Sequence, residues 1–300
     1  MPALRLGVAL SLIGAMALPT AAHPALRVAY AGSMGVVMDL HIGPDFCRLE
    51  GCRFEGMGRG AWALAHLLAS RSFTADVFIS VTSGPMEFLL HRRWVRRAVA
   101  VARTEMVLAY NPRSRFAPLM RLAQAGRLAW WRVLEKPGLR LGRTDPRVDP
   151  QGRNVIFVCL LAEDWYHRPG LAHRLLGAWE NTAQIFSEPS LMTRLEAGQL
   201  DAAITYRSAA VSHHLPYVFL PAAINLGSPA RRSAYRRVSF RLAGGGKPVY
   251  PAPLVFYAGV LRDTRHPALA RAFIGYLGST ATVEPWRRLG YLPILRTGTQ

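Results

Sequence analysis

Three small hydroxyl residues stand where a chain leaves a buried strand. Ser33 follows Leu26-Arg27-Val28-Ala29-Tyr30 across the turn Ala31-Gly32, and Ser80 and Thr82 follow Asp76-Val77-Phe78-Ile79. In an open α/β sheet, ligands bind beyond the carboxyl ends of the strands. The next helix begins there, with unpaired N–H groups and a partial positive charge. Hydroxyls added to such a place donate further hydrogen bonds. That is chemistry for holding an oxyanion without a fixed cation. Ser and Thr are also ordinary helix N-caps, so the spacing leaves both readings open.

The catalytic alternatives are thinner. Ser33, Ser80 and Ser208 are candidate nucleophiles, but none lies in a G-x-S-x-G elbow. His213 and His214 are adjacent, so their side chains diverge, and they read as a solvated loop. The chain has no H-E-x-x-H, no phosphate-binding P-loop and no G-x-G-x-x-G after a strand. Asp145 and Asp149 each precede a proline, and Asp149-Pro150-Gln151-Gly152 fits a type I turn. A turn role and a ligand role both remain open for Asp149. Cys47 and Cys52 could close a small loop in an oxidising compartment, while Cys159 sits in the apolar run Val155–Leu161 and reads as a core thiol. Further zinc ligands at metal spacing are not found.

The elements that must position these residues alternate. Strands are expected at 26–30, 76–79, 107–110, 202–206, 217–220 and 254–260, and helices at 61–68, 116–125, 130–134, 171–186 and 268–277. Residues 34–40 open a further helix, and 142–152 are rich in turns. Ser187 or Glu188 caps another helix, with Pro189 in its first turn and Gly198 just beyond its end. Strands alternating with helices mean an α/β fold with parallel sheet.

The charge of +19 normally suggests nucleic acid or an anionic surface. Only Lys136 and Lys247 are lysines, however, and the arginines are spread along the chain without an aromatic-interleaved stripe. A general preference for arginine explains this more simply than a nucleic-acid partner. At the N-terminus, Arg5 precedes the apolar run Leu6–Leu18, then Pro19 and Thr20-Ala21-Ala22. The run is short for a bilayer of roughly 30 Å. The pattern fits a signal peptide over 1–22, with the mature chain beginning near His23 and exported to the periplasm.

An ordered series then carries a family resemblance. It comprises Ala31-Gly32-Ser33, Ala75-Asp76-Val77 with Ser80, Met106–Asn111 with Ser114, and Gly142–Pro146 with Asp149-Pro150 and Gly152. It continues through Leu195–Gly198 with Leu200-Asp201, Tyr206-Arg207-Ser208 with Ala210, and Leu220-Pro221 with Ile224–Leu226. From about Leu26 to Pro293 the chain resembles the periplasmic molybdate/tungstate-binding proteins of ABC transporters, in the branch typified by archaeal tungstate binders. The resemblance implies a two-lobed periplasmic-binding-protein fold (type II). Each lobe would be a mostly parallel sheet flanked by helices, hinged by crossover strands. Lobe one would take residues 23–107 and 253–300, and lobe two 108–252, with the hinge near Leu108–Asn111 and Val249–Pro253.

The resemblance further implies an inter-lobe ligand, molybdate or tungstate, and no cofactor. The partner would be a membrane permease, and the protein itself a monomer that is not an enzyme. It assigns Ser33, Ser80 and Tyr206 to the oxyanion, and Asp149 to a direct approach to the metal; Thr82 joins them as a ligand candidate from its place after the strand alone. Two positions depart from it. Gly58-Arg59-Gly60 stands where the family has a Gly-Ser pair, so Arg59 or the Gly60 N–H would replace a hydroxyl. Thr205 stands where the archaeal branch has a glutamate before the tyrosine. On that basis a tetrahedral oxyanion held by hydrogen bonds is expected, not one bound by two carboxylates. The rivals are a binder of sulfate, phosphate or a small carboxylate, and a secreted enzyme with His213 or His214 serving Ser208.

Overall fold

The computed structural model describes residues 23–295; the expected signal peptide lies outside them. Two sheets divide the chain. The first has the order β11-β4-β10-β3-β1-β2, formed by β1 (Ala25–Ala31), β2 (Arg53–Arg59), β3 (Val77–Val81), β4 (Val99–Arg103), β10 (Val255–Val260) and β11 (Leu292–Pro293). The second has the order β7-β6-β8-β5-β9, formed by β5 (Met106–Tyr110), β6 (Leu141–Thr144), β7 (Ile185–Phe186), β8 (Ala202–Tyr206) and β9 (Tyr217–Phe219). Helices flank both sheets, and the fold is the two-lobed α/β architecture expected.

The central strands are apolar throughout. Every residue of β3, β5 and β8 is buried, as strands covered on both faces must be. The sheets are mixed where mostly parallel ones were expected. β1 pairs in parallel with β2 and β3, but β10 returns antiparallel between β3 and β4. β5 enters the second sheet antiparallel to both β8 and β9. In each case a strand arriving from the other sheet runs against its neighbours.

The first crossing lies earlier than the sequence placed it, at Thr104 and Glu105, because β5 already begins at Met106. There the Thr104 N–H donates to the Leu254 carbonyl, the Met106 N–H to Asn225 and the Arg207 N–H to Glu105. The segment Leu108–Asn111 instead completes β5 and runs to its far end. Cys47, in the helix Gly43–Glu50, and Cys52, just before β2, form a disulfide, and Cys159 is a buried free thiol.

Candidate functional site

Three helices of eight residues or more begin at one cavity between the lobes. Gly60 caps the helix Ala61–Ala69 in lobe one; Asp149 and Ser187 cap Pro150–Trp165 and Glu188–Glu196 in lobe two. All three caps line a cavity of about 560 Å³, with Arg59, Val148 and Glu188 among its other walls. Each N-terminus brings a positive dipole end to the cavity, which favours an anion; at Pro150 and Gln151 the first N–H positions are already taken, by the proline ring and by the Asp149 carboxylate.

Asp149 was open between a turn and a ligand, and the structure gives it a helix. Its carboxylate accepts from the Gln151 N–H at 2.9 Å, and Pro150 takes the first helical position. The type I turn expected at 149–152 is thus the first turn of a long helix, which continues the same αR backbone. Asp149 is only 7% exposed.

Beside it stands a second acid. Glu188 has a partly exposed stem, but its Oε1 is sealed from solvent and has no hydrogen-bond partner. The carboxylate reaches across to lobe one and lies against the Gly32–Ser33 turn, where the Ser33 main-chain N–H favours its charged form. It crowds Gly32 so closely that a β-carbon there would strike it. Burial pushes the Asp149 carboxyl up to about 6, against the opposing pull of the Gln151 N–H and of Arg153. Burial first, and the Asp149 charge second, raise Glu188 well above the ordinary carboxylate range. Two carboxylates confined together cannot both be charged without cost.

Tyr206 ends β8 and is 1% exposed. Its hydroxyl accepts from the Asn154 amide at 3.1 Å. Burial, and then the charges of Asp149 and Glu188, push its ionisation far up, so it stays a neutral hydroxyl beside the acids. Ser33 enters from lobe one on a short 3-10 turn, and its buried Oγ has no partner within the protein. The Tyr291 hydroxyl donates to the Ser33 carbonyl at 2.7 Å and so fixes that turn.

The structure therefore places Ser33 and Tyr206 against the acid pair, behind the cavity wall that Arg59, Gly60 and Asp149 line. Arg59 is solvent-exposed. The other candidates stand apart. The Ser80 hydroxyl is spent on the Thr82 carbonyl at 3.0 Å. Thr82 is buried at a φ of 65°, and neither residue is among those lining the cavity. Thr205 is fully buried behind the site, where its hydroxyl accepts from the Gln151 amide at 3.0 Å. Ser208 hydrogen-bonds Thr104, whereas the His213 ring pairs with Glu196.

Sequence reasoning missed Glu188 and Asn154 as site residues. An acid in the first turn of a helix is ordinary, so nothing in the local sequence marked Glu188 as more than a cap. Its role comes from the lobe facing it. Thr205 does not leave the cleft with a single acid: Glu188, from a different helix, stands beside Asp149.

Similar proteins fit this architecture. The chain is 33% identical over 222 residues to a putative ABC transporter molybdenum-binding protein of Haloferax volcanii, covering 74% of this chain and 68% of that one. It is 29% identical over 208 residues to a molybdate/tungstate-binding protein of Pyrococcus abyssi, covering 63% of this chain and 60% of the relative. The solved periplasmic molybdate-binding protein of Azotobacter vinelandii superposes with a TM-score of 0.65 at 16% identity, over 89% of this chain and 98% of that one, which speaks to the fold. The model of the bacterial extracellular solute-binding protein family matches residues 26–292, and the chain belongs to that family.

Proposed function

We propose that this protein captures molybdate or tungstate between its lobes and delivers it to the membrane permease of an ABC transporter. The observation that carries this reading is the sealed pair Asp149 and Glu188 among donors from both lobes. A site built for hydrogen bonds to sulfate or phosphate gains nothing from two carboxylates, because their charge opposes the ligand's. Sulfur and phosphorus in these ions do not accept further oxygen ligands. Hexavalent molybdenum and tungsten do, so carboxylate oxygens can complete the metal's coordination while N–H and O–H groups hold the oxo atoms. Ser33 and the helix N-termini serve as donors, with Tyr206 completing the hydroxyl set. Asp149 and Glu188 approach the metal, and Asn154 orients Tyr206.

In this reading the mature chain is exported and starts near His23. The lobes meet at the crossing near Thr104 and Leu254, and the working unit is a monomer that binds its solute without chemical change. The relatives' names support the ligand class, and the helix N-termini support an anion of some kind.

Thermal unfolding of the full chain with molybdate, tungstate, sulfate and phosphate tests the proposal. Ligand at 100 times its Kd adds about 2.7 kcal/mol. Stabilisation by molybdate and tungstate with none from sulfate is expected. Stabilisation by sulfate or phosphate alone would overturn it in favour of a site re-tuned by Arg59.

A further inference from the structure

Ten arginine–aromatic stacks occur among the described residues. Nine join residues of the same lobe. The exception is Arg153 in lobe two, whose guanidinium lies 5.1 Å from the centre of the Trp62 ring in lobe one.

Each partner is fixed by its own lobe. Trp62 is the second residue of the helix that starts at the cavity wall. Its indole meets Phe88 edge-on at 6.0 Å and stacks with His66 at 6.2 Å. A β-carbon at Gly84 would stand 3.0 Å from it, so that side has no room to spare. Arg153 follows Asp149 by four residues, one helical turn along the same face. Its Nε donates to the Pro146 carbonyl at 2.6 Å and an Nη to the Arg147 carbonyl at 3.1 Å. Both carbonyls belong to the short connection that carries Asp149.

One guanidinium thus holds the Asp149 loop through its N–H groups and lies over an aromatic ring of the opposite lobe. Lysine has neither the fork nor the flat face for this. We propose that Arg153 and Trp62 form a closure latch, in which Arg153 is a positioning residue that transmits the placement of Asp149 to the contact between lobes. The latch rests on the cleft being the binding site proposed above, and it touches no ligand itself. Because the two partners belong to different lobes, the stack exists only while the lobes are together. It therefore adds to the closed form and not to the open one, and a ligand that prefers the closed form gains by the same amount. The charge of Arg153 also reaches Asp149, which ties the latch to the acid pair.

The test uses the full chain with Arg153→Lys, Trp62→Leu, the double variant and Trp62→Phe. Tungstate affinity is measured by calorimetry, and the radius of gyration by solution scattering with and without tungstate. Each of the first two single variants is expected to weaken tungstate roughly tenfold, the scale of a desolvated cation–π contact. The double should be no weaker than the worse single, and Trp62→Phe should recover part of the loss. A merely structural role would lower melting temperature in each variant and give additive losses, which would overturn the latch, as would unchanged affinity.

The ligand-free scattering separates this proposal from the identity of the ligand. The latch expects a larger radius in Arg153→Lys and Trp62→Leu than in wild type even without tungstate. If wild type ignores tungstate while that increase is seen, the oxyanion reading falls and the latch stands. If the four variants all scatter like ligand-free wild type, the latch falls whatever the protein binds.

Discussion

The two walls of the cleft are built from different chemistry. Lobe one supplies small residues and main-chain donors: Gly32 and Ser33 on a tight turn, and Gly60 at the head of a helix. Lobe two supplies the acids Asp149 and Glu188 and the Asn154–Tyr206 pair. A wall of donors can recognise any oxyanion of suitable size. A wall with buried carboxylates recognises the atom at the ligand's centre. On the proposed function, lobe one would set the charge and size of what is held, and the acids of lobe two would set which element is held. The contrast is open to attack from either side.

The largest effect is expected where the two walls differ most. Asp149→Asn with Glu188→Gln removes both charges while keeping the shapes, and asparagine caps a helix as well as aspartate does. Tungstate and molybdate affinity should fall by two orders of magnitude or more, about 2.8 kcal/mol. The ligand-free protein should not lose stability, because two buried charges are gone. Calorimetry and thermal unfolding check both halves. Retained tungstate affinity would mean that lobe two does not read the metal.

The next effect comes from the lobe-one wall. A β-carbon at Gly60 would stand 2.9 Å from the Val148 carbonyl oxygen of lobe two. The obstructing atom is main chain, so it cannot swing aside. Gly60→Ala should cost about 1–3 kcal/mol in the closed form alone, roughly a tenfold or greater loss of affinity. The melting temperature of the ligand-free protein should barely move. A loss of affinity with no change in ligand-induced compaction would count against the clearance role of Gly60.

Acidity tests the same contrast reversibly. Burial raises the Asp149 carboxyl from the ordinary 3.8 to about 6, and lobe one, whose Gly60 packs against it, adds to that burial when the cleft closes. Its pKa is higher closed than open, so protonation favours closure. The closed fraction of ligand-free protein should be greatest below about pH 4 and fall as pH rises through about 6. Tungstate capture needs the bare Asp149 carboxylate and should strengthen over the same window. Scattering and calorimetry from pH 4.5 to 7.5 should therefore move in opposite directions, and parallel movement would count against a metal-approaching role for Asp149.

How much of this was legible in the sequence follows from what each element faces. β5 and β8 read as strands because burial on both faces makes them continuously apolar. β2 did not, because Arg53–Arg59 forms a partly exposed edge with two glycines and little apolar pattern. The helix Pro150–Trp165 hid for the opposite reason: 11 of its 16 residues are buried, so no polar face marks a helical period. The helix expected over 171–186 stops at Leu176, where Gly177 turns with a φ of 64°. Beyond it the fully buried Arg143 holds the carbonyls of Ala178 and Trp179, a contact from another strand that no local pattern announces. The site divides likewise. Ser33, Asp149 and Tyr206 sit at strand or helix ends that the chain signals locally. Glu188 gains its meaning only when Gly32 and Ser33 close over it.

The smallest expected effect is the cleanest probe of the donor wall. Ser33 Oγ is buried and has no partner in the protein, so on the proposed function its hydrogen bond is available to a bound oxyanion. Removing an unpaired buried hydroxyl is nearly neutral for folding, whereas removing one hydrogen bond to a bound ligand costs about 0.5–1.5 kcal/mol. Ser33→Ala should therefore leave the ligand-free melting temperature in place and weaken tungstate by roughly two- to tenfold. If lobe one reads only charge and size, the variant should weaken molybdate and tungstate by the same factor and leave their ratio unchanged. A changed ratio would mean that Ser33 helps to distinguish the two metals, and the division of labour between the walls would fail at its simplest point.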